Sequence, residues 1–179
     1  MIFTETAIAG VFLVELEPRG DDRGFFARAF CAEEFAAHGL ETRWVQANVG
    51  HSNRAGTIRG LHYQAPPHAE AKLVRCTAGA VFDVAVDVRE ESSTYLQWYG
   101  TELSARNGSM LYLPEGVAHG YQSLTDDAET YYLVSAAYAP AAERGLRWDD
   151  PALGIAWPHL DAPILSDKDA GWPLVASTR

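Results

Sequence analysis

The sequence predicts an all-β fold, built as a sandwich or a barrel with a few short helices at its periphery. Seven short segments are rich in β-branched or aromatic residues and recur along most of the chain. Turn-forming residues, glycine above all, separate them, as at residues 78–80 and 106–108. Short strands with turns between them at regular spacing are typical of sandwiches and barrels. We predict strands near residues 11–15, 42–49, 72–76, 81–88, 98–103, 110–113 and 130–135.

The remaining segments are predicted to surround these strands. One helix is expected near residues 31–38, with Gly39 as the residue that follows its end. The C-terminal third contains three tryptophans and several prolines, and we predict turns and loops there that cover the core. No repeat, low-complexity segment or long linker divides the chain, so residues 1–179 are predicted to form one domain.

Composition excludes several classes of protein. Apolar residues make up 47% of the 179 residues, which argues against disorder. The net charge of −10 argues against a nucleic-acid partner. No apolar run is long enough to span a membrane and no signal peptide is evident, so we expect a cytoplasmic protein without a membrane partner. Cys31 and Cys76 form neither a disulfide framework nor a zinc spacing, and we predict reduced thiols.

Residues 81–88 alternate in character, as a strand with two different faces would. Phe82, Val84 and Val86 then share one face, whereas Asp83 and Asp87 share the other. For the two carboxylates we expect a solvated or structural role. The alternative is that they line the polar mouth of a barrel.

The segment around His62 combines a base-capable imidazole with two nearby cations, Arg59 and Lys72. This combination suits removal of a proton next to a carbonyl, because the enolate that forms needs a positive charge beside its oxygen. The alternative for His62 is a core histidine with its hydrogen bonds satisfied, and the alternative for Lys72 is an exposed strand lysine.

Residues 108–119 resemble the second sequence motif of the cupin superfamily. Gly108 is followed, after five residues, by Pro114 and Gly116, and His119 comes two residues later. The resemblance implies a cupin-type jelly roll, which is a double-sheet barrel. It also implies that His119 points into the barrel from the strand that follows the turn.

The first cupin motif normally supplies two histidines and a glutamate to a metal ion. In this chain Gln64 stands where the second of these histidines would be, while His62, Glu70 and His119 remain. An amide is a poor ligand for metals that prefer imidazole. We therefore expect neither a metal nor any other cofactor, and two histidines that are free for acid–base chemistry.

Nine segments in order resemble the dTDP-4-dehydrorhamnose 3,5-epimerase family, and they cover nearly the whole chain. The family acts on a 4-keto-6-deoxy sugar carried on a nucleoside diphosphate, and the C4 carbonyl acidifies the hydrogens on C3 and C5. The matching segments are DDRGFF (21–26), QAN (46–48), RGLHYQ (59–64), KLVR (72–75), FDVAVDVR (82–89), LPEGVAHG (113–120), YLVSAAYAP (132–140), WDDP (148–151) and LSDKD (165–169).

The resemblance implies a role for each matching catalytic position. His62 would be the base, and Asp169, which we place in a loop, would pair with it; Asp167 competes for that place. Lys72 would stabilise the enolate oxygen at C4. Tyr132 would deliver a proton from the opposite face, which inverts the carbon. His119 would line the sugar site.

The resemblance also implies a set of substrate-binding residues. The planar forks of arginines match phosphate oxygens, which suits residues that hold a nucleoside diphosphate. Tyr138 is a weaker candidate, since it also fits an ordinary structural aromatic, and Arg75 and Arg89 are expected to be structural or surface charges. The residues that would hold the nucleotide and diphosphate are Arg23, Gln46, Asn48, Arg59, Glu143 and Lys168.

One departure from the family puts the nucleotide base in doubt. Arg28 stands where the family commonly has glutamate, near the nucleotide, so a CDP-linked sugar is an alternative to a dTDP-linked one. Family members are usually homodimers with an exchanged N-terminal strand, which would bring Arg23 to the partner's site. Open alternatives are an epimerase that inverts only C3 or C5, a metal-dependent cupin and a non-catalytic sugar-binding cupin.

Overall fold

Two antiparallel β-sheets face each other and enclose the central core of the chain. The computed structural model describes residues 1–159, 161 and 163–175. In chain order the strands are β1 (Ile2–Glu5), β2 (Phe12–Glu15), β3 (Arg19–Asp21), β4 (Gly24–Phe26), β5 (Gln46–Ser52), β6 (Ile58–Gln64), β7 (Lys72–Ala78), β8 (Ala80–Asp87), β9 (Trp98–Ser104), β10 (Met110–Leu113), β11 (Val117–Ser123), β12 (Ala128–Val134) and β13 (Glu143–Gly145). The helices are α1 (Ala32–Ala37) and α2 (Asp167–Ala170), with a 3-10 turn at Pro140–Ala142.

The first sheet has the strand order β1-β2-β10-β7-β12-β5, and the second has the order β13-β6-β11-β8-β9. Strands β3 and β4 form a separate hairpin. This arrangement confirms the prediction of an all-β, double-sheet fold with short peripheral helices. No helix among the residues described above is long and apolar enough to cross a membrane.

The alternation in β8 places its two faces in different cores. Val81 and Ala85 lie between the sheets, where they pack with residues of β7, β10 and β11. Val84 and Val86 lie on the outer face of the second sheet, beneath Trp157 and other C-terminal residues. The C-terminal third therefore covers the second sheet, as predicted. The helix α1 covers the outer face of the first sheet in the same way, through Phe35.

Most predicted elements are present with small changes at their ends. The helix α1 ends where expected, and Gly39 follows it with a φ of +70°. The strand predicted at 42–49 instead begins at Gln46 and continues to Ser52. Trp44 precedes the strand, and its ring packs near Phe30 and Tyr112 on the outer face of the first sheet.

Strands β6 and β11 carry the two motif histidines. β6 was not among the predicted strands, whereas the cupin resemblance implied β11 as the strand that follows the turn. Gly60 in β6 has a φ of +119°, and a Cβ atom there would lie 2.5 Å from Cα of Gly120 in β11. The two glycines therefore let the strands approach closely at this point. Two residues further along β6, His62 lies directly opposite His119.

The two carboxylates of β8 are not solvated, so that part of the prediction is wrong. Asp83 and Asp87 are both 0% exposed. Asp87 accepts hydrogen bonds from Arg89, Ser92 and Thr94, with Arg89 Nη2 at 2.7 Å. Although burial opposes ionisation, these hydrogen bonds lower the pKa of Asp87 to about 2. Asp87 thus has the structural role, and Arg89 is a structural charge as expected.

Replacing Asp87 with asparagine is expected to reduce stability at neutral pH by about 2 kcal/mol. The native pKa lies below the ordinary value of 3.8, so the ionised form stabilises the fold above about pH 4. That contribution is lost as the pH falls towards 2. Urea unfolding of wild type and Asp87→Asn at several pH values should give curves that converge at low pH. Glu90→Gln, an exposed neighbour, serves as the control, and an equal loss at all pH values would contradict the account.

Candidate active site

A cavity of about 150 Å³ opens between β5 of the first sheet and β6 and β13 of the second. A larger cavity of about 470 Å³ lies beside the β3–β4 hairpin, but no candidate base or acid lines it. We place the site in the smaller cavity because the titratable groups converge there. Its lining residues are Gln46, Asn48, His62, Tyr63, Gln64, Glu70, Lys72, Tyr132, Val134, Tyr138 and Glu143.

The imidazole of His62 is held by Asp169. Nε2 of His62 lies 2.5 Å from Oδ1 of Asp169, although 107 residues separate the two along the chain. Burial opposes ionisation of Asp169, but the contact with His62, with the hydrogen bond from Ser166 and the charge of Lys168, outweighs burial and lowers the pKa of the carboxyl group. Because the carboxylate accepts the proton on Nε2, the other ring nitrogen, Nδ1, is left to accept a proton.

Asp169 lies in the helix α2, so its placement in a loop was wrong. Ser166 precedes the helix, and its Oγ accepts a hydrogen bond of 3.1 Å from the backbone N–H of Asp169. The cap fixes the first turn of α2 and orients the carboxylate of Asp169 towards His62. Of the two competing aspartates, Asp169 and not Asp167 is the partner of His62.

Lys72 reaches the site from β7 in the opposite sheet. It is 7% exposed, so the alternative of an exposed strand lysine is wrong. Nζ lies 3.2 Å from Oε1 of Glu70 and donates a hydrogen bond of 3.3 Å to the backbone carbonyl of His62. A fixed ammonium group therefore lies beside the candidate base, in surroundings that screen its charge less than bulk water would.

Tyr132 lies on β12, directly opposite Asn48 of β5, and both residues line the cavity. Burial raises the pKa of the Tyr132 phenol, and the neighbouring Tyr121 and Glu70 add to this effect while Arg59 opposes it. The phenol is therefore protonated at neutral pH and able to donate. Its hydroxyl group makes no hydrogen bond to any of the residues that the structure describes.

Four predicted binding residues form one group at the rim of the cavity. Glu143 accepts hydrogen bonds from Nζ of Lys168 at 2.6 Å and from the hydroxyl of Tyr138 at 3.0 Å. Gln46 accepts one from the backbone N–H of Tyr138 at 2.6 Å. Burial opposes ionisation of Glu143, but the bonds from Lys168 and Tyr138 outweigh it and lower its pKa. Tyr138 is thus a member of this rim, with its ring exposed.

Three predicted binding arginines lie outside the cavity. Arg59 lines an adjoining cavity of about 240 Å³ further along β5 and β6, and its Nη2 donates to the carbonyl of His51 at 2.7 Å. Arg23 pairs with Asp21 in the β3–β4 hairpin, and 89% of its side chain is exposed. Arg28 pairs with Glu34 at 2.8 Å. Within one chain, neither Arg23 nor Arg28 lines the cavity that contains His62.

His119 is buried behind the cavity lining rather than part of it. Its Nε2 lies 2.9 Å and 3.0 Å from the two carboxylate oxygens of Asp83. Sequence reasoning missed this second histidine–aspartate pair, because a solvated or structural role was expected for Asp83. The available signal was the alternative that its face of β8 lines the mouth of the barrel. Direct contact of His119 with a sugar stays a prediction. In the second sheet, His119 lies on the strand next to that of His62.

The residues in the cupin metal positions do not fit a metal ion. The amide of Gln64 donates to the carbonyl of His68 at 2.9 Å and accepts from the N–H of Ala139 at 2.6 Å. Glu70 is paired with Lys72, and His119 with Asp83. In the described part of the chain, no group of three His, Cys, Asp or Glu side chains is placed to hold a metal.

One contact of the base had no signal in the sequence. The ring of Trp172 lies 5.9 Å from the ring of His62, centroid to centroid, at an angle of 65°. Taken together, the cavity contains a base held by a carboxylate, a fixed cation and a protonated phenol. These groups are suited to moving a proton next to a carbonyl.

Comparisons with known proteins identify relatives across the whole fold. A profile of the dTDP-4-dehydrorhamnose 3,5-epimerase family matches residues 5–177. A protein of that name from Sinorhizobium fredii is 46% identical over 173 residues, which is 97% of this chain and 89% of the relative. The crystal structure of the Bacillus anthracis protein of that name, with TDP and PPi bound, is 41% identical with a TM-score of 0.93, covering 97% of this chain and 99% of that one.

A further structural relative carries a different activity in its name. ChmJ from Streptomyces bikiniensis is described as a 3′-monoepimerase in complex with dTDP-quinovose. It is 40% identical to this chain with a TM-score of 0.89, and the match covers 97% of this chain and 87% of ChmJ. Proteins with this fold and similar sequence thus include both double and single epimerases.

The fold and these relatives define a cupin-type isomerase, as the jelly-roll motif had indicated. More narrowly, the chain belongs to the dTDP-4-dehydrorhamnose 3,5-epimerase family.

Proposed function

We propose that this protein inverts C3 and C5 of dTDP-4-dehydro-6-deoxyglucose and so produces dTDP-4-dehydrorhamnose. The observation that carries the proposal is the convergence of His62, Lys72 and Tyr132 in one cavity, with Asp169 bonded to His62. The family and the names of the relatives support the same substrate.

The first step is removal of a proton by His62. The C4 carbonyl acidifies the hydrogen on the neighbouring carbon, and that proton passes to Nδ1 of His62. The electron pair of the broken C–H bond moves into an enolate whose oxygen carries the negative charge. Asp169 stabilises the imidazolium, and Lys72 stabilises the enolate oxygen as its charge develops.

The second step is delivery of a proton by Tyr132 from the opposite face of the sugar. His62 extends from β6 in one sheet and Tyr132 from β12 in the other, so a sugar ring between them would meet a base on one side and an acid on the other. The phenol proton forms the new C–H bond, the enolate returns to a ketone and the carbon is inverted. The phenolate and imidazolium are restored by proton exchange with solvent before the second carbon reacts.

The nucleotide end of the substrate is proposed to bind at the rim and in the adjoining cavity. Gln46 and Asn48 line the first cavity, and Arg59 lines the second, which also contains Arg54. Guanidinium groups suit a diphosphate. Lys168 and Tyr138 at the rim offer a cation and an exposed aromatic ring.

A homodimer is proposed to complete the site. The β3–β4 hairpin presents Phe25 and Phe26, which are 70% and 77% exposed, next to the exposed side chain of Arg23. Exposed apolar residues in a cluster mark interaction surfaces. Exchange of N-terminal strands would cover these rings and bring Arg23 to the site of the second copy. Arg23→Ala should then raise the substrate KM more than it lowers kcat.

The test of the proposal is identification of the product. Purified protein is incubated with dTDP-4-dehydro-6-deoxyglucose, and proton NMR coupling constants give the configuration at C3 and C5. Inversion of both carbons is expected. Inversion of one carbon alone would favour the single-centre alternative, which is the activity given in the description of ChmJ. An unchanged sugar in both the dTDP and CDP forms would contradict the proposal.

The nucleotide base is examined by comparing dTDP-linked and CDP-linked substrates. Arg28, whose charge departs from the family, is bonded to Glu34 in α1's first turn, and this pairing partly offsets its charge. We therefore expect the dTDP form to be preferred, with Arg28→Glu changing KM and leaving kcat largely intact. A lower KM for the CDP form would reverse the assignment.

Replacing Lys72 with glutamine is expected to lower kcat by about 10²–10³-fold. Glutamine preserves a hydrogen-bond donor but removes the charge that the enolate needs. Lys168→Gln makes the same chemical change at the rim, and there we expect KM to rise with a much smaller effect on kcat. Steady-state kinetics of both variants check this, and an unchanged kcat in Lys72→Gln would contradict the role of Lys72.

A further inference from the structure

Trp172 contacts the candidate base from outside the reacting cavity. Its ring meets that of His62 edge to face, at 5.9 Å and 65°, yet Trp172 is not one of the residues that line the cavity. Among the described residues, the one hydrogen bond to the ring of His62 is made by Asp169, through Nε2. One hydrogen bond leaves a ring free to rotate about it, so a second contact is needed to fix the direction of Nδ1.

Gly145 provides the surface on which the indole lies. It is in β13, directly opposite His62 in β6, so the backbones of the two residues are neighbours. A Cβ atom at Gly145 would overlap atoms Cδ2 and Cε2 of Trp172. The absence of a side chain at Gly145 therefore brings the indole against the strand next to His62.

Asp169 and Trp172 belong to one short segment that is anchored at both ends. Ser166 caps the segment before Asp169, and the backbone N–H of Arg147 donates to the carbonyl of Pro173 at 3.2 Å just after Trp172. The carboxylate and the indole are thus carried by residues only three positions apart in the same anchored segment. Both contacts to the ring of His62 depend on the same segment.

The indole occupies this place at an energetic cost. Its Nε1 is buried and has no hydrogen-bond partner among the described residues. A buried donor without a partner is unfavourable, and an apolar side chain of similar size would avoid that loss. Nζ of Lys168 lies 5.8 Å from the ring centroid, so the indole also contacts the rim.

We propose that Trp172 is a positioning residue of the epimerase reaction, which fixes the ring plane of His62 so that Nδ1 stays directed at the carbon that loses its proton. This inference rests on the proposed role of His62 as the base. Small errors in the position of a reacting group cost a large part of the rate, so the effect should appear in kcat rather than in KM.

The test compares Trp172→Leu and Trp172→Phe. Leucine removes the ring, whereas phenylalanine keeps an aromatic edge against His62. We expect kcat to fall by about 10-fold or more in Trp172→Leu, with KM changed little, and to be largely retained in Trp172→Phe. Thermal midpoints are measured for each protein, and Trp172→Met replaces Trp172→Leu if the latter does not fold.

Two controls separate this inference from its alternatives. Trp44 is matched to Trp172, because its Nε1 is also buried without a partner in the described chain and it packs against the rings of Phe30 and Tyr112 rather than against His62. Trp44→Leu should lower the thermal midpoint but not kcat. His62→Asn should be inactive.

Each result leads to one conclusion. Wild-type kcat in Trp172→Leu, or an effect on KM alone, with His62→Asn inactive, overturns the inference and leaves the proposed function intact. Equal losses of kcat in Trp172→Leu and Trp44→Leu also overturn it, since they show a purely structural role. An active His62→Asn overturns the role of His62 as the base, on which this inference rests, and identification of the product then decides the proposed function separately.

Discussion

Replacement of His62 with alanine is expected to abolish exchange of solvent hydrogen at both C3 and C5 of the sugar. The proposed base serves both carbons, because the cavity holds one imidazole with a free ring nitrogen, Nδ1, in the described lining. General-base catalysis contributes about 10²–10⁴-fold to a rate, and the variant should lose at least that much. Exchange is followed by proton NMR in D₂O with the dTDP-linked 4-keto sugar.

The control for this variant must remove an imidazole nearby without disturbing the base. His68 is exposed, and its described hydrogen bonds are made by its backbone alone: the N–H donates to the carbonyl of Ala65, and the carbonyl accepts from Gln64. His68→Ala should exchange both positions at the wild-type rate. His62→Ala leaves Asp169 buried without its partner, so His62→Gln is measured beside it to separate loss of stability from loss of the base. Near-normal exchange in both His62 variants would show that another group is the base.

Replacement of Tyr132 with phenylalanine is expected to separate exchange from inversion. His62 remains able to remove a proton and to return a deuteron to the same face, so part of the exchange in D₂O should survive. Delivery to the opposite face requires the phenol, and formation of the inverted product should fall by about 10²-fold or more. The rate of deuterium incorporation and the rate of product formation are measured in the same sample.

Tyr131 offers a matched control on the neighbouring position of β12. Its side chain points to the other face of the sheet and is 37% exposed. Tyr131→Phe should therefore retain both rates. If Tyr132→Phe inverted the sugar at the wild-type rate, the acid would have to be another group, and the buried phenol of Tyr121 next to Thr130 would be examined next.

Local patterns in the sequence predicted the all-β class and most of the strands of the two sheets, and the cupin resemblance supplied the jelly roll. The alternation in residues 81–88 predicted which side chains of β8 share a face, but not that the face with Asp83 and Ala85 is the one between the sheets. Turn residues bounded most of the predicted strands correctly. The strand pattern alone did not predict β6 and β11, in which Gly60 and Gly120 let the two strands approach closely, and only the cupin resemblance implied β11. Residues 42–45 were predicted as strand because β-branched and aromatic residues favour strands. In the structure the strand begins at Gln46, and the ring of Trp44 packs near Phe30 and Tyr112 instead.

The candidate site depended on contacts between distant parts of the chain. The pairing of His62 with Asp169 was predicted through the family resemblance alone, since 107 residues separate them. The position of Asp169 in α2 was missed because a helix of four residues has too little periodicity to be seen. Strand pairing brings Asp83 to His119, and the missing side chain of Gly145 lets Trp172 lie beside His62. No local pattern in the sequence indicates either contact.

The most direct measurement is proton NMR of dTDP-4-dehydro-6-deoxyglucose with the wild-type protein in D₂O. The proposed mechanism requires that each inverted carbon loses its original proton and gains one from solvent. We expect the signals of both the C3 and C5 protons to disappear at the rate of catalysis, with the inverted configuration at both carbons. If the inverted sugar kept its original protons, the proposed mechanism would be contradicted. In that mechanism His62 removes the proton from one face of the sugar, and Tyr132 delivers a solvent-derived proton to the other face.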